Sequence, residues 1–217
     1  LTDSEVLLDF DRESRIGIGE AVFCQGKTPA QLLTICDQLD TNRRMLFTRL
    51  SREQFSIIEG AHPDLLDYDE QSRTAWINPL PDAENSDVAI ITGGSSDVAV
   101  AREAARTLAF YGYGSNKIDD VGVAGLWRLL DRIEEIKQHR IVIAVAGMDA
   151  ALPTVLGGLI PSPIIAVPTS VGYGVTRGGE TALASLLVSC SSGITVTNID
   201  NGYGAACAAI RILHAFN

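Results

Sequence analysis

Three short stretches of this chain place glycine beside hydroxyl and carboxyl side chains in a pattern suited to ligand chemistry. The first, TGGSSD at residues 92 to 97, follows an apolar run. Gly93 and Gly94 let the backbone approach a ligand closely, and Ser95, Ser96 and Asp97 open a helix whose first amides suit an anion such as phosphate. The same letters also describe a glycine turn followed by a Ser/Asp helix cap. This stretch is neither a P-loop, which needs GK[ST], nor a GxGxxG fingerprint, so it does not support an NTPase or a dinucleotide-binding dehydrogenase. The second stretch, AGMDAALP, puts Gly147, Met148 and Asp149 just past the run IVIAVA. Asp149 there is either a helix cap or a general acid–base group. The third, PTSVGYGVTRGG, carries Thr169, Ser170, Tyr173 and Arg177 among four glycines. A loop so polar and glycine-rich can wrap phosphates or a carboxylate, with Arg177 as the anion contact.

Two further segments leave alternatives open. NIDNGYG offers Asn198, Asp200 and Asn201 to ribose hydroxyls or a divalent cation, and Asn201-Gly202 equally reads as a turn. Cys190, in SCSSG, is by spacing alone either packing or a nucleophile. It precedes a strand, so it falls at the sheet edge opposite the expected ligand edge. It could join the site only by an excursion of the chain or from a neighbouring subunit. His62, His139 and His214 stand in unrelated contexts and suggest no triad, and metal ligands cannot be read from the spacing. Cys24, Cys36, Cys190 and Cys207 show no CxxC pair, as expected of free thiols in a reducing compartment.

These stretches need a scaffold. From residue 85 onward the pattern alternates: DVAIIT, a strand within KIDDVGVAG, IVIAVA, IIAVP and ITVTNI as strands. Helices are expected over SSDVAVAREAARTLAFYG, LWRLLDRIEEIKQH, ALPTVLGGL, ETALASLLVSC and GYGAACAAIRILHAF. Short apolar runs alternating with helices predict a five-stranded, doubly wound parallel sheet of the flavodoxin-like α/β class, whose ligands sit at the carboxyl ends of the strands. Before it, TPAQLLTICDQL and SREQFSIIEGA read as capped helices, RMLFTR as a strand and LLDYDEQSRTAWIN as a hairpin turning near residues 70 to 72. They predict a small α+β domain over residues 1–84, joined through the proline-containing linker 79–87 to a second domain over 85–217. Residues 1–20, crowded with charge, read as a solvated arm, with phosphate contact by Arg12 and Arg15 as the alternative.

A net charge of -10 opposes binding to nucleic acid or an anionic membrane. The apolar runs are broken well before the roughly 20 residues a membrane helix needs, and no leader is evident, so a cytoplasmic protein is expected.

Taken together the motifs resemble known families. TGGSSD, AALPTVLGGL and IIAVP are similar to the phosphate loop, the AAHLPG segment and the IGVP strand of class I phosphoribosylaminoimidazole carboxylases. Nearly the whole chain, through RESRIGIGEAVFCQGKT, AGMDAALP, PTSVGYG, SCSSG and NIDNGYGA, resembles the LarB-type pyridinium-3,5-biscarboxylic acid mononucleotide synthases, which begin assembly of the nickel-pincer nucleotide cofactor. Ala151 stands where the purine carboxylases have histidine. Asp149 and Gly19 stand where the LarB-type pattern has Glu and Pro. The resemblance implies carboxylation of nicotinic acid adenine dinucleotide by CO2 or bicarbonate, with Cys190 as nucleophile and Asp149 as proton acceptor, then hydrolysis releasing AMP with help from Mg2+. It also implies a homo-oligomer, an octamer in the related carboxylases, with sites at subunit interfaces. A regulatory protein of the circadian phase modifier type and a purine-type carboxylase or mutase are the alternatives.

Overall fold

The computed structural model describes residues 5–39, 42–81 and 86–215, and the chain divides into two compact units, Leu1–Pro81 and Asp82–Asn217. The expected linker at 79–87 falls partly outside the described residues.

In the first unit the helix starts are set by side chains. After α1 (Arg12–Ile16) and β1 (Ala21–Phe23), α2 (Pro29–Asp37) begins at Thr28, whose hydroxyl accepts from the Gln31 amide while the Gln31 side chain accepts from the Thr28 amide. Proline at the first helical position loses nothing, because its missing donor would have had no partner. Past β2 (Met45–Thr48), α3 (Arg52–Ala61) repeats the arrangement with Ser51 and Gln54. A hairpin of β3 (Asp67–Asp69) and β4 (Thr74–Ile77) completes a sheet of order β1-β2-β4-β3, in which β1 and β2 are parallel. Its core gathers Leu32, Ile35, Phe47, Leu50 and Ile58.

Two expectations fail in this unit. Residues 5–20 are not a solvated arm: Val6, Leu8 and Phe10 pack against the core. Arg15 is bound to Asp9, and Arg12 to Asp9 and Glu20, so neither reaches out for phosphate. The strand β1, only three residues long, has too little pattern to show in sequence.

The second unit is built on β7 (Ile141–Ala146), whose six residues are all buried. A parallel strand covered on both faces needs no polar alternation. Around it stand β5 (Val88–Thr92), β6 (Ser115–Ile118), β8 (Ile164–Pro168) and β9 (Thr195–Val196), all parallel in the order β6-β5-β7-β8-β9. The crossovers hold α4 (Val98–Phe110), α5 (Leu126–Leu130), α6 (Ile133–Ile136), α7 (Ala151–Gly157) and α8 (Glu180–Leu187), and α9 (Gly202–Ala215) closes the unit. The predicted five-stranded doubly wound sheet is what the chain forms. Buried Glu103 of α4 accepts from the Tyr203 amide at the start of α9, and a side chain on Gly202 would collide with the Val100 carbonyl.

Two elements are shorter than their sequences suggest. The expected helix over LWRLLDRIEEIKQH breaks into α5 and α6 where Arg132 leaves helical geometry (φ -108°, ψ 0°). There Arg132 and Asn116 of β6 both grip Glu135 and hold its carboxyl down at about 2. Of ITVTNI only two residues pair as strand, because Asn198 turns its side chain back on the Ile199 amide.

The Thr28→Ala variant should lose about 1 kcal/mol of stability in the first unit alone. In a Trp127→Phe background the fluorescence of Trp76 reports that unit, and its urea midpoint should fall with an unchanged slope.

Candidate functional site

The strand order reverses between β5 and β7: the crossover from β5 leads to β6 on one side, whereas β7 is followed by β8 and β9 on the other. Loops leaving the two strands must diverge there, and a crevice opens at their carboxyl ends. A cavity of about 280 Å³ lies at this point, and its wall includes Gly93, Gly94, Ser96, Asp97, Met148 and Asp149. Seven of the residues singled out in the sequence thus meet in one place: these six and Gly147.

The walls are held by one carboxylate. Asp97 is buried, accepts from the Gly94 amide at 2.9 Å and from the Thr169 hydroxyl at 2.7 Å, and is also bonded by the Gly147 amide. Burial pushes its pKa up, and these three donors pull against that shift. Thr169 therefore fastens the wall through its hydroxyl. Gly147 is required by crowding, since a Cβ there would strike the Val171 carbonyl and the Thr169 hydroxyl. Met148 (φ 55°) and Ala150 (φ 49°) flank Asp149 in left-handed backbone, a conformation that costs a non-glycine residue energy and that clusters at functional sites. The outcome is an exposed Asp149 carboxylate at the cavity.

The remaining expected residues lie outside this wall. Ser95 is exposed beside it. The Ser170 amide donates to Asp200 at 2.7 Å, and the Asp200 amide donates to the Pro168 carbonyl at 2.8 Å, so Asp200 clasps the loop after β8 to the loop after β9. Asn201 accepts from the Gly204 amide and caps α9. The Asn198 side-chain oxygen accepts from the Ile199 amide. Tyr173 and Arg177 are exposed on the loop after β8, with Arg177 in left-handed backbone at φ 47°.

Cys190 does not line the cavity. It is exposed between Ser189, hydrogen-bonded to the Thr154 hydroxyl at 2.7 Å, and Ser191, whose hydroxyl donates to the Thr154 carbonyl at 2.6 Å. The segment that carries Cys190 is thus fastened to the middle of α7, the helix whose start adjoins Asp149. Within one chain the structure does not join the two groups in one pocket. Among the four cysteines only Cys190 is exposed; burial pushes Cys24 up to about 12, and Cys36 and Cys207 up to about 11. Those three remain protonated near neutral pH.

Two wall features escaped the sequence reading. Gly122, in the loop after β6, has its Cα so near the Gly93 carbonyl that no Cβ fits. Arg128 of α5 is the cation of the wall, held by Asp120 at 2.7 Å. The signal for both was DDVGVAG, a glycine-bearing loop leaving a strand at the ligand edge. No histidine lines the cavity, and Ala151 does. Among the described residues no group of three or more His, Cys, Asp or Glu could hold a metal. No described helix is long and apolar enough to cross a membrane.

Comparison with known proteins agrees with this architecture. Residues 4–79 match the LarB/PurE-like N-terminal domain and residues 87–217 the AIR carboxylase domain. An uncharacterized protein of Methanocaldococcus jannaschii is 34% identical over 98% of this chain and 86% of its own length. The N5-carboxyaminoimidazole ribonucleotide mutase of the same organism is 32% identical over 58% of this chain and 78% of its own. Treponema denticola PurE shares the fold at a TM-score of 0.52 with 21% identity, over 60% of this chain and 81% of that one. With its cavity at the strand-order reversal and both domains matched, this chain belongs to the AIR carboxylase family, in the LarB-type arrangement that sets the carboxylase domain behind a LarB/PurE-like N-terminal domain.

Proposed function

We propose that the protein carboxylates the pyridinium ring of nicotinic acid adenine dinucleotide and then hydrolyses the phosphoanhydride, releasing AMP and pyridinium-3,5-biscarboxylic acid mononucleotide. The observation that supports this reading is an exposed carboxylate, Asp149, at a cavity with no histidine in its lining, on a unit that also carries the exposed thiol Cys190. A purine-type reaction fits less well, because Ala151 occupies the wall where the resemblance calls for histidine.

The chemistry follows from the ring. A pyridinium is electron-poor and cannot attack CO2. Addition of the Cys190 thiolate to a ring carbon forms a C–S bond and makes a neutral enamine. The neighbouring carbon of that enamine forms the new C–C bond to CO2. Asp149 then takes the proton from the carboxylated carbon, the C–S electron pair leaves with sulfur, and aromaticity returns. The TGGSSD loop and Arg128 supply donors for phosphate and carboxylate oxygens. Mg2+ in this reading enters bound to the substrate's phosphates, as is usual where few protein carboxylates hold it.

Cys190 and Asp149 meet, in this proposal, across an interface between two copies of the chain. Leu187 and Val188, two and three residues from the thiol, are 67% and 78% exposed, and Tyr173 and Val175 are 80% and 79% exposed. Large apolar side chains so placed support coverage by another copy.

With 13C-bicarbonate and the dinucleotide, Cys190→Ser should incorporate no label, and Asp149→Asn should lose about 10²–10⁴-fold in rate. Label incorporation by Cys190→Ser at the wild-type rate would refute the covalent step. Mixed oligomers of the two variants should recover up to about a quarter of wild-type activity, because some interfaces then hold one intact Cys190 and one intact Asp149. No recovery on subunit mixing would place both groups in one chain.

A further inference from the structure

The short helix α5 borders the cavity of the second unit and turns an indole outward beside it. Val123 and Ala124, which lead into the helix, line the cavity, and so does Arg128. Leu129 is wholly buried against the core. Successive side chains of a helix stand about 100° apart, so Trp127 lies one step round from Arg128 and almost opposite Leu129. Trp127 is 66% exposed, and Leu126 and Leu130 are exposed on the same side of the helix. Arg128 itself is held in place, paired with Asp120 at 2.7 Å and laid over Gly125, where a Cβ would come within 2.8 Å of its Nε.

An exposed tryptophan beside a cavity needs a partner of matching size. A stable contact between two copies buries about 800 Å² on each, far more than three side chains of a five-residue helix offer. Arg128 and exposed Asp131 flank the indole on either side along the helix, so the apolar face is narrow. One flat heterocycle fits it. The cavity, at about 280 Å³, falls short of the roughly 300 Å³ at which sites for drug-sized ligands begin, and so cannot enclose a dinucleotide.

We propose that Trp127 is the stacking platform for the adenine base of the dinucleotide. With the pyridinium ring inside the cavity at Asp149, the adenylate half lies outside it. There α5 offers a cation on the wall and, next to it, an aromatic face on which a purine stacks. The inference rests on the dinucleotide reading of the site and adds to it the element that recognises the leaving nucleotide.

Titration of the full chain with AMP tests this. In the wild-type protein, millimolar AMP should quench indole emission saturably, and ribose 5-phosphate, which has the phosphate without the base, should not. The quenched component should be missing from Trp127→Phe, where Trp76 alone emits. By calorimetry, Trp127→Leu should bind AMP at least about fivefold more weakly, the lower end of what loss of a base-stacking ring costs, and Trp127→Phe should fall between. Absence of saturable quenching, quenching that persists in Trp127→Phe, or an AMP affinity unmoved in Trp127→Leu overturns the proposal. An unmoved affinity together with a loss of assembled mass in light scattering would assign the face to a second copy instead. The two readings fail separately. Saturable quenching by AMP in a protein that incorporates no 13C label keeps the base site and removes the carboxylation, and labelling with an AMP affinity indifferent to Trp127 does the reverse.

Discussion

The second unit depends on one buried carboxylate. Asp97 gathers the loop after β5 through its own turn, the loop after β7 through the Gly147 amide and the loop after β8 through the Thr169 hydroxyl. An anion taken out of water is costly unless its lone pairs are filled, and hydrogen bonds to a charged group contribute about 1.5–3 kcal/mol each. Three loops that would otherwise move independently therefore share a fixed point. The absence of side chains at Gly147 and Gly122 follows, because loops drawn this close leave no space for a Cβ.

Strain appears one step out from that fastening. Once Gly147 is fixed and Ala150 must turn into α7, the two intervening residues have little choice: the Met148 amide meets the Val171 carbonyl, and the Ala150 amide meets the Gly147 carbonyl. The chain accepts left-handed backbone at 148 and 150, and in return Asp149 projects from a tight turn at the cavity. Tight packing within the sheet and an exposed acid above it are parts of one arrangement.

Much of this was legible because its signals are local. IVIAVA is a continuous apolar run whose only sensible place is a doubly covered strand, and Thr28, Ser51 and TGGSSD announce helix starts through side-chain chemistry that acts over three residues. What escaped depends on distant partners. AVF becomes β1 only because Leu46, Phe47 and Thr48 lie alongside it. Residues 5–20 turn inward because a core exists to receive Val6, Leu8 and Phe10. The break between α5 and α6 is fixed partly by Asn116, on another strand. Asn198, Asp200 and Asn201 have types that suit ribose or a cation, and the structure shows that each also ties or caps a loop.

Cys190 shows how position and chemistry can disagree within a chain and still be consistent. A buried thiol is a poor nucleophile, since desolvation holds it protonated, as it does Cys24, Cys36 and Cys207. A thiol exposed to water reacts but has nothing to align a substrate against it. The serines on either side address the second difficulty: both bind Thr154, so the segment cannot swing freely. In the proposed mechanism this exposed thiol on a fastened segment supplies half of the site. The other half, an open cavity with a carboxylate at its rim, lies on the same unit but in a separate place. The proposed mechanism joins the two through an assembly of identical copies, each presenting its thiol to another's cavity.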